Sequence, residues 1–198
     1  KKNHSINLMP AIDFLMKAVD LKPTDLDRIS VAQGPGSYTG LRVAVATAKT
    51  LAYTLNIELV GVSSLYALAA VADFDGLVVP VIDARRNNVY AGFYKDGQSL
   101  KDDQRMNFVD VLEAVKDEES VMFVGEVANF SDQIAESLPQ AKVLSVLPSA
   151  YAIGKRGQEL QPVDVDSFVP SYLKRVEAEE NWLKTHIENP SANYVNRI

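Results

Sequence analysis

ISVAQGPGSYTGLRVAVATAKTLAYTLN, residues Ile29 to Asn56, decides the architecture of this chain. With Arg28 in front, the run to Gln33 is short and β-branched enough to form a strand. It breaks on Gly34-Pro35-Gly36 and restarts as a helix. Gly34 and Gly36 permit backbone angles that side chains forbid, Pro35 fixes one angle between them, and Ser37 or Thr39 offers an oxygen to cap the helix. Such a corner also turns free N–H groups toward the helix start, which suits an anion. A Walker loop, however, needs Gly-x4-Gly-Lys-Ser/Thr, and here Gly34 is followed by Gly40, Leu41 and Arg42. On spacing alone a plain strand-to-helix corner outweighs a phosphate cradle. Gly36, Ser37 and Thr39 are the candidate anion contacts if a cradle it is.

Working outward, the helix after the corner carries Gly40, Ala44, Ala48 and Ala52 four residues apart, a smooth stripe that lets another backbone approach closely. Leu41, Val45, Leu51 and Leu55 supply bulk beside it, with Arg42 and Lys49 at the polar margin. The stripe packs on the sheet or the first helix, or it forms a face for an obligate partner. Ahead of the corner, about Ser5 to Val19 reads as a helix. Asp13, Lys17 and Asp20 give it one narrow polar stripe, while Leu8, Met9, Ile12, Phe14, Leu15, Met16 and Val19 fill the rest. That arc is too wide for a helix lying on one surface. Either the fold covers it on two sides or one side waits for another chain. Pro10 requires the helix to start within about a turn of it.

Beyond the helix, IELVGV is extended and SSLYALAAVA helical, with Ser63 or Ser64 as cap. GLVVPVID feeds a hairpin, NNVYAGFYKDGQSL, whose turn is Asp96-Gly97. NFVDVLEAVKD, NFSDQIAESL and PSAYAIGKRGQEL read as helices, the last with Pro148 at an early position; SVMFVG and AKVLSVL read as strands. This alternation predicts an α/β protein with parallel pairing in part of each sheet. The expected division is a first lobe over 1–74, a second over 75–160, with the boundary near Ala70–Gly76, and a C-terminal arm and loose tail over 161–198.

Composition bounds the function. The chain has 198 residues, 47% apolar and 23% charged, with a net charge of −6 and a pI near 5.0. Those figures describe an ordinary globular protein of one domain or two small lobes, without a basic field for nucleic acid. Zero cysteines exclude disulfides and thiolate metal sites. With no membrane-length apolar run and no signal-like segment, a cytoplasmic protein is expected. His4 and His186 are far apart in polar surroundings, and no zinc-protease or nucleophile-elbow motif occurs. Asp83, Arg85 and Arg86 in IDARRNN form the best remaining cluster at a strand end, where open α/β sheets hold ligands, although a loop salt bridge explains them equally well.

The segments GPGSYTGLRVAVATAKTLA, GVSSLYALA, VIDARRNNVYAGFY and VPSYLKR resemble the bacterial TsaB family, also called YeaZ, over roughly Asn3 to Arg175. The resemblance implies a two-lobed actin-like fold of the heat-shock ATPase kind (ASKHA), and a role in tRNA threonylcarbamoyladenosine biosynthesis beside the paralogous transferase TsaD. Where TsaD carries two metal-binding histidines four apart, the matching positions here are Ser64 and Leu68, neither able to replace imidazole. TsaD's glycine-rich phosphate loop corresponds to DARRNN, which has no glycine. The family also opens with a strand bearing an Asp-Thr-Ser motif and a hairpin, so this sequence is expected to start after them, leaving sheet edges exposed.

What the resemblance implies is a non-catalytic subunit that binds TsaD, with TsaE joining the complex and tRNA reached only through it. Alone, the subunit would be a homodimer. It would need no metal and no cofactor of its own, with ATP or ADP at the complex interface. The shared face for both assemblies would be the first two helices, at Leu8, Met9, Ile12, Met16, Gly40, Leu41, Ala44, Val45, Ala48 and Ala52. A small-molecule kinase or ATPase of the same fold, using the GPGSYTG helix start, Asp83 and Arg85, is the alternative; the M22 metallopeptidase of an older family label lacks a ligand set.

Overall fold

The structure, a computed structural model, describes residues 4–173. The chain forms α1 (His4–Ala18), a 3-10 turn at Pro23–Asp25, β1 (Arg28–Gly34), α2 (Tyr38–Leu55) and β2 (Glu58–Ser63). Then come α3 (Ser64–Ala69), β3 (Leu77–Asp83), β4 (Asn88–Lys95), β5 (Gln98–Asn107), α4 (Phe108–Ala114), β6 (Val121–Gly125), α5 (Ser131–Ser137), β7 (Lys142–Leu144) and α6 (Ala150–Glu159).

Two sheets result. In the smaller, β1 and β2 run parallel with Arg28 opposite Glu58 and Ala32 opposite Val62, the crossover being α2. Residues alternate faces along a strand. Val31 and Leu59 therefore meet Val45, Ala48 and Ala52 of α2, while Ser30 faces Gly157 of α6. A Cβ at Gly157 would sit 1.9 Å from Ser30 Oγ, so only glycine lets α6 come this close. Arg28 fastens the same helix end by donating to the carbonyls of Gly157 at 2.6 Å and Leu160 at 3.2 Å. Although the sequence grouped α6 with the second lobe, it lies against β1, β2 and α3.

The larger sheet has the order β5-β4-β3-β6-β7, antiparallel on the β4–β5 side of β3 and parallel on the β6–β7 side. One face carries Val79, Val81, Val89, Ala91, Phe93 and Phe123 onto Phe108, Val111 and Ile134 of the flanking helices. The other carries Val78, Tyr94 and Val124 onto Leu65 and Leu68 of α3.

Helix starts follow side-chain oxygens that accept first-turn N–H groups. Ser37 Oγ takes Gly40 N at 3.4 Å, so Thr39 is not the cap of α2. Ser63 Oγ takes Leu65 N and Tyr66 N, which leaves Ser64 inside α3. Ser149 Oγ takes Ala152 N, so Pro148 precedes its helix instead of standing in the first turn. Asn56 closes α2 in the left-handed region at φ 53°. Asp96 and Gly97, at φ 50° and 72°, make the expected hairpin turn.

Two elements depart from the sequence expectation. The strand after that turn continues through the charged run Lys101–Asn107, because its register with β4 is held by backbone bonds while Lys101, Asp102, Gln104 and Arg105 stand out along a sheet edge and Asp103 turns inward. Helix α1 begins at His4 and runs through Pro10. Proline removes a donor to the carbonyl of Ile6, and Ile6 is 66% exposed, so water can reach that group.

After α6 the chain returns across the small sheet. Val163 N donates to Leu59 O at 2.9 Å, Phe168 is buried against α2 and β2, and Lys49 donates to the carbonyls of Asp166 at 2.9 Å and Phe168 at 2.8 Å. Ser171 N then donates to Gln33 O at 2.7 Å, beside the glycine corner. The tail expected from Glu177, together with His186, lies outside the described residues.

Candidate partner surface and the cleft beside it

The two helices nominated by sequence behave differently. Among the described residues no other element packs broadly against α1. Its row Leu8, Ile12 and Met16, four residues apart, is half-buried; beside it Met9 is 46%, Leu15 63% and Val19 63% exposed. These six sit within one arc of the helix, since 8, 12, 15 and 19 follow spacings of four and three. Ile6 and Phe14 extend the apolar surface around the side, which accounts for the width seen in the sequence.

On α2, Leu41, Val45, Ala48 and Ala52 are buried in this chain's own core, and Ala44 packs half-buried on the same cluster. They do not form a partner face, which corrects the assignment from the sequence: the small residues are small because β1 and β2 lie directly beneath them. The outer side of α2 carries Thr39, Gly40, Val43, Ala46 and Thr50 instead. Thr50 Oγ1 returns its hydrogen to Ala46 O at 2.9 Å, so its polar group is satisfied within the helix.

The glycine corner is filled by the chain itself. Gly34 has φ +125°, and a Cβ there would lie 2.5 Å from Ser171 O and 3.2 Å from Leu41 Cδ1. The corner is shaped for the returning strap. Gly34→Ala is expected to lower stability by at least about 2 kcal/mol through backbone strain plus the clash. Denaturant unfolding would read that loss; an unchanged midpoint would mean the strap does not need the corner.

Beside the corner lies a cleft of about 520 Å³ that joins Gly36, Ser37 and Tyr38 on one wall to Asp83, Arg85 and Tyr90 on the other. The sequence candidates Gly36, Ser37, Asp83 and Arg85 thus share one cavity, whereas Thr39 is exposed and lies outside its lining. Asp83 is occupied structurally. Its Oδ1 accepts from Arg85 N at 2.7 Å and its Oδ2 from Asn129 Nδ2 at 3.2 Å, while Glu126 Oε2 accepts from Asp83 N at 2.9 Å. Sequence reasoning missed three tyrosines here, Tyr38, Tyr90 and Tyr172, because long-range folding brings them together; Tyr38 and Tyr172 have ring centroids 5.2 Å apart.

Ser64 and Leu68, which the sequence resemblance set against metal-binding histidines, are both buried in α3. No group of three His, Asp or Glu side chains converges to hold a metal among the described residues.

A polar contact also joins the two sheets. Ser63 Oγ, at the end of β2, donates to Asp103 Oδ2 at 2.5 Å, and Tyr94 OH donates to Asp103 Oδ1 at 3.2 Å. Burial pushes the Asp103 carboxyl up, and the bonds from Ser63 and Tyr94 only partly pull it back; burial likewise pushes the Tyr94 phenol up. Because the folded value exceeds the unfolded one, this group's contribution to stability is full below the ordinary carboxylate range. It is lost as pH rises through the raised value. Asp103→Asn is therefore expected to raise Tm modestly at neutral pH, with the gain shrinking as the solution is acidified. A gain that grows in acid would refute the assignment.

Comparison with known proteins agrees with this architecture. Residues 1–182 match a family described as TsaD, tRNA N6-adenosine threonylcarbamoyltransferase. The tRNA threonylcarbamoyladenosine biosynthesis protein TsaB of Bacillus subtilis (strain 168) is 40% identical, covering 93% of this chain and 86% of that protein. The TsaB of Escherichia coli (strain K12) is 29% identical over 48% of this chain and 42% of its own length. Among solved structures, YeaZ from Pseudomonas aeruginosa aligns with a TM-score of 0.67 at 23% identity, covering 85% of this chain and 84% of that one. A second Pseudomonas aeruginosa structure, described as similar to peptidase YEAZ, aligns with a TM-score of 0.71 at 24% identity, over 87% and 85% of the two chains. The fold is thus the mixed α/β, actin-like one expected from the sequence. On the extent of the match to its Bacillus relative, the chain belongs to the TsaB family.

Proposed function

We propose that this chain is a non-catalytic subunit of tRNA threonylcarbamoyladenosine biosynthesis, binding a TsaD protein that transfers the threonylcarbamoyl group to the adenosine beside the anticodon. The observation that carries the reading is α1: a helix with an apolar arc whose flanks are exposed and against which no other element among the described residues packs broadly. Large exposed apolar patches mark interaction sites. The outer side of α2, with its small side chains, suits the same use, so the partner face becomes Leu8, Met9, Ile12 and Met16 with Gly40, Val43 and Ala46. The same face would join two copies when TsaD is absent.

Several features support the accessory role. The positions matched to TsaD's metal-binding histidines are Ser64 and Leu68, and the candidate acid Asp83 already holds structural bonds through both oxygens. TsaE completes the assembly, and ATP or ADP belongs to the interface of the complex. The setting is the cytoplasm; no helix among the described residues is long and apolar enough to cross a membrane.

Light-scattering mass of the protein alone and mixed with its TsaD, with threonylcarbamoyl transfer to tRNA assayed on the same samples, tests the proposal. A change from homodimer to heterodimer, with transfer only in the mixture, is expected. Turnover by this chain alone, or no association, would overturn it.

A further inference from the structure

The arginines of this acidic chain are unevenly used. Six lie within residues 4–173, and the two remote from the cleft, Arg28 and Arg156, pair with Glu58 and Glu159. The other four, Arg42, Arg85, Arg86 and Arg105, form no ion pair among the described residues; Arg85 lines the cleft, and each of the other three adjoins one of its lining residues. Arg42 lies 5.5 Å from the Tyr38 ring centroid and donates to Tyr38 OH at 3.0 Å. Arg85 lines the cavity, and Arg86 follows it at the exposed tip of the β3–β4 hairpin. Arg105 stands directly opposite Tyr90 in the β4–β5 ladder, which puts both on one face of the sheet.

Aromatic rings stand among these charges. Tyr38 is 47% and Tyr172 43% exposed although their rings touch, so each keeps surface for a further ring. The two carboxylates that line the cleft, Asp83 and Glu126, are each held by hydrogen bonds at the β3 terminus, Glu126 accepting from Asp83 N and Asp83 from Arg85 N and Asn129 Nδ2.

We propose that this cleft receives unstacked bases of single-stranded RNA, with the tyrosines as stacking platform and the four arginines on the phosphates. The proposal rests on the tRNA-modifying role above and adds to it a direct RNA contact by this subunit. Two physical points favour a strand over a lone nucleotide. The glycine corner, where one phosphate would nest, is closed by the carbonyl of Ser171, which repels an anion. The arginines instead spread over α2, the hairpin tip and β5, the distribution that successive phosphates of a chain require. Guanidinium and tyrosine surfaces are also the pair that single-stranded loops use elsewhere.

The test is fluorescence anisotropy with a labelled RNA hairpin carrying an adenosine-containing loop, titrated with the full chain and with its complex with TsaD. Arg85→Asn combined with Arg86→Asn removes two charges, and asparagine accepts the left-handed backbone found at both positions (φ 67° and 53°). The double variant is expected to bind about tenfold more weakly, with a log–log salt slope smaller by about 1.4 for two lost contacts. Tyr38→Ala is expected to weaken binding roughly tenfold while Tyr38→Phe keeps it, since stacking needs only the ring. Unchanged affinity in the double arginine variant would overturn the proposal. Equal binding of a fully paired duplex, or full competition by AMP, would overturn it too. Light scattering on the same samples separates the two readings: loss of the complex would count against the TsaD-binding role, and the isolated chain would still report on RNA.

Discussion

Ala48→Glu is expected to unfold this protein, not merely to dissociate it. Ala48 is 5% exposed and packs among Val31, Val45, Ala52, Leu59 and Phe168. A glutamate there must bury an unpaired carboxylate or push α2 off the sheet. Lys49, the next residue, does not answer it, being already engaged with the strap carbonyls of Asp166 and Phe168. Removing one partner of a buried charge pair costs about 3–5 kcal/mol, and introducing a lone charge costs as much or more. A domain whose whole stability is about 5–15 kcal/mol cannot absorb that and stay well folded. Circular dichroism melting should show a large fall in Tm or no transition at all. Ala46→Arg, on the outer side of the same helix, should leave the melt within a few degrees of the parent. A normal melt for Ala48→Glu with lost dimer mass would restore the partner-face reading of the small-residue stripe.

That contrast shows what a sequence can and cannot convey. The Ile29–Asn56 stretch declares strand, corner and helix, because a β-branched run, Gly-Pro-Gly and a capping serine each act locally. The Asp96-Gly97 turn is equally local. The period of Gly40, Ala44, Ala48 and Ala52 declares that one face of α2 permits close approach, but periodicity is silent about which neighbour approaches. For Ala44, Ala48 and Ala52 it is the chain's own sheet, while Gly40 is exposed. Strand β5 was half hidden because the charged side chains of Lys101, Asp102 and Arg105 answer to an exposed edge, while its backbone bonds to β4 hold it. The cleft was hidden for a different reason: Tyr38, Tyr90 and Tyr172 come from α2, β4 and the returning strap, and only the tertiary fold makes them neighbours.

Met9→Asp combined with Leu15→Asp should abolish association with TsaD and between copies while leaving the fold intact. At 46% and 63% exposure these side chains give the monomer little core energy, so their replacement by aspartate changes mainly what α1 offers to a partner. Each fully buried side chain of this kind is worth about 1.5–3 kcal/mol at an interface before ordering costs. Losing two therefore weakens binding by at least about 100-fold, since about 1.4 kcal/mol is a factor of ten, and desolvating two carboxylates adds to the loss. The half-buried row Leu8, Ile12 and Met16 is left untouched, so any contact that α1 makes within the chain survives. Light scattering of the double variant with TsaD should report separate species, with threonylcarbamoyl transfer reduced in proportion and the melt unchanged. An intact heterodimer would move the working surface away from α1. The exposed edge residues of β7, Val143 and Leu144, would then be the next apolar surface to test, because they too are uncovered but lie on the opposite sheet.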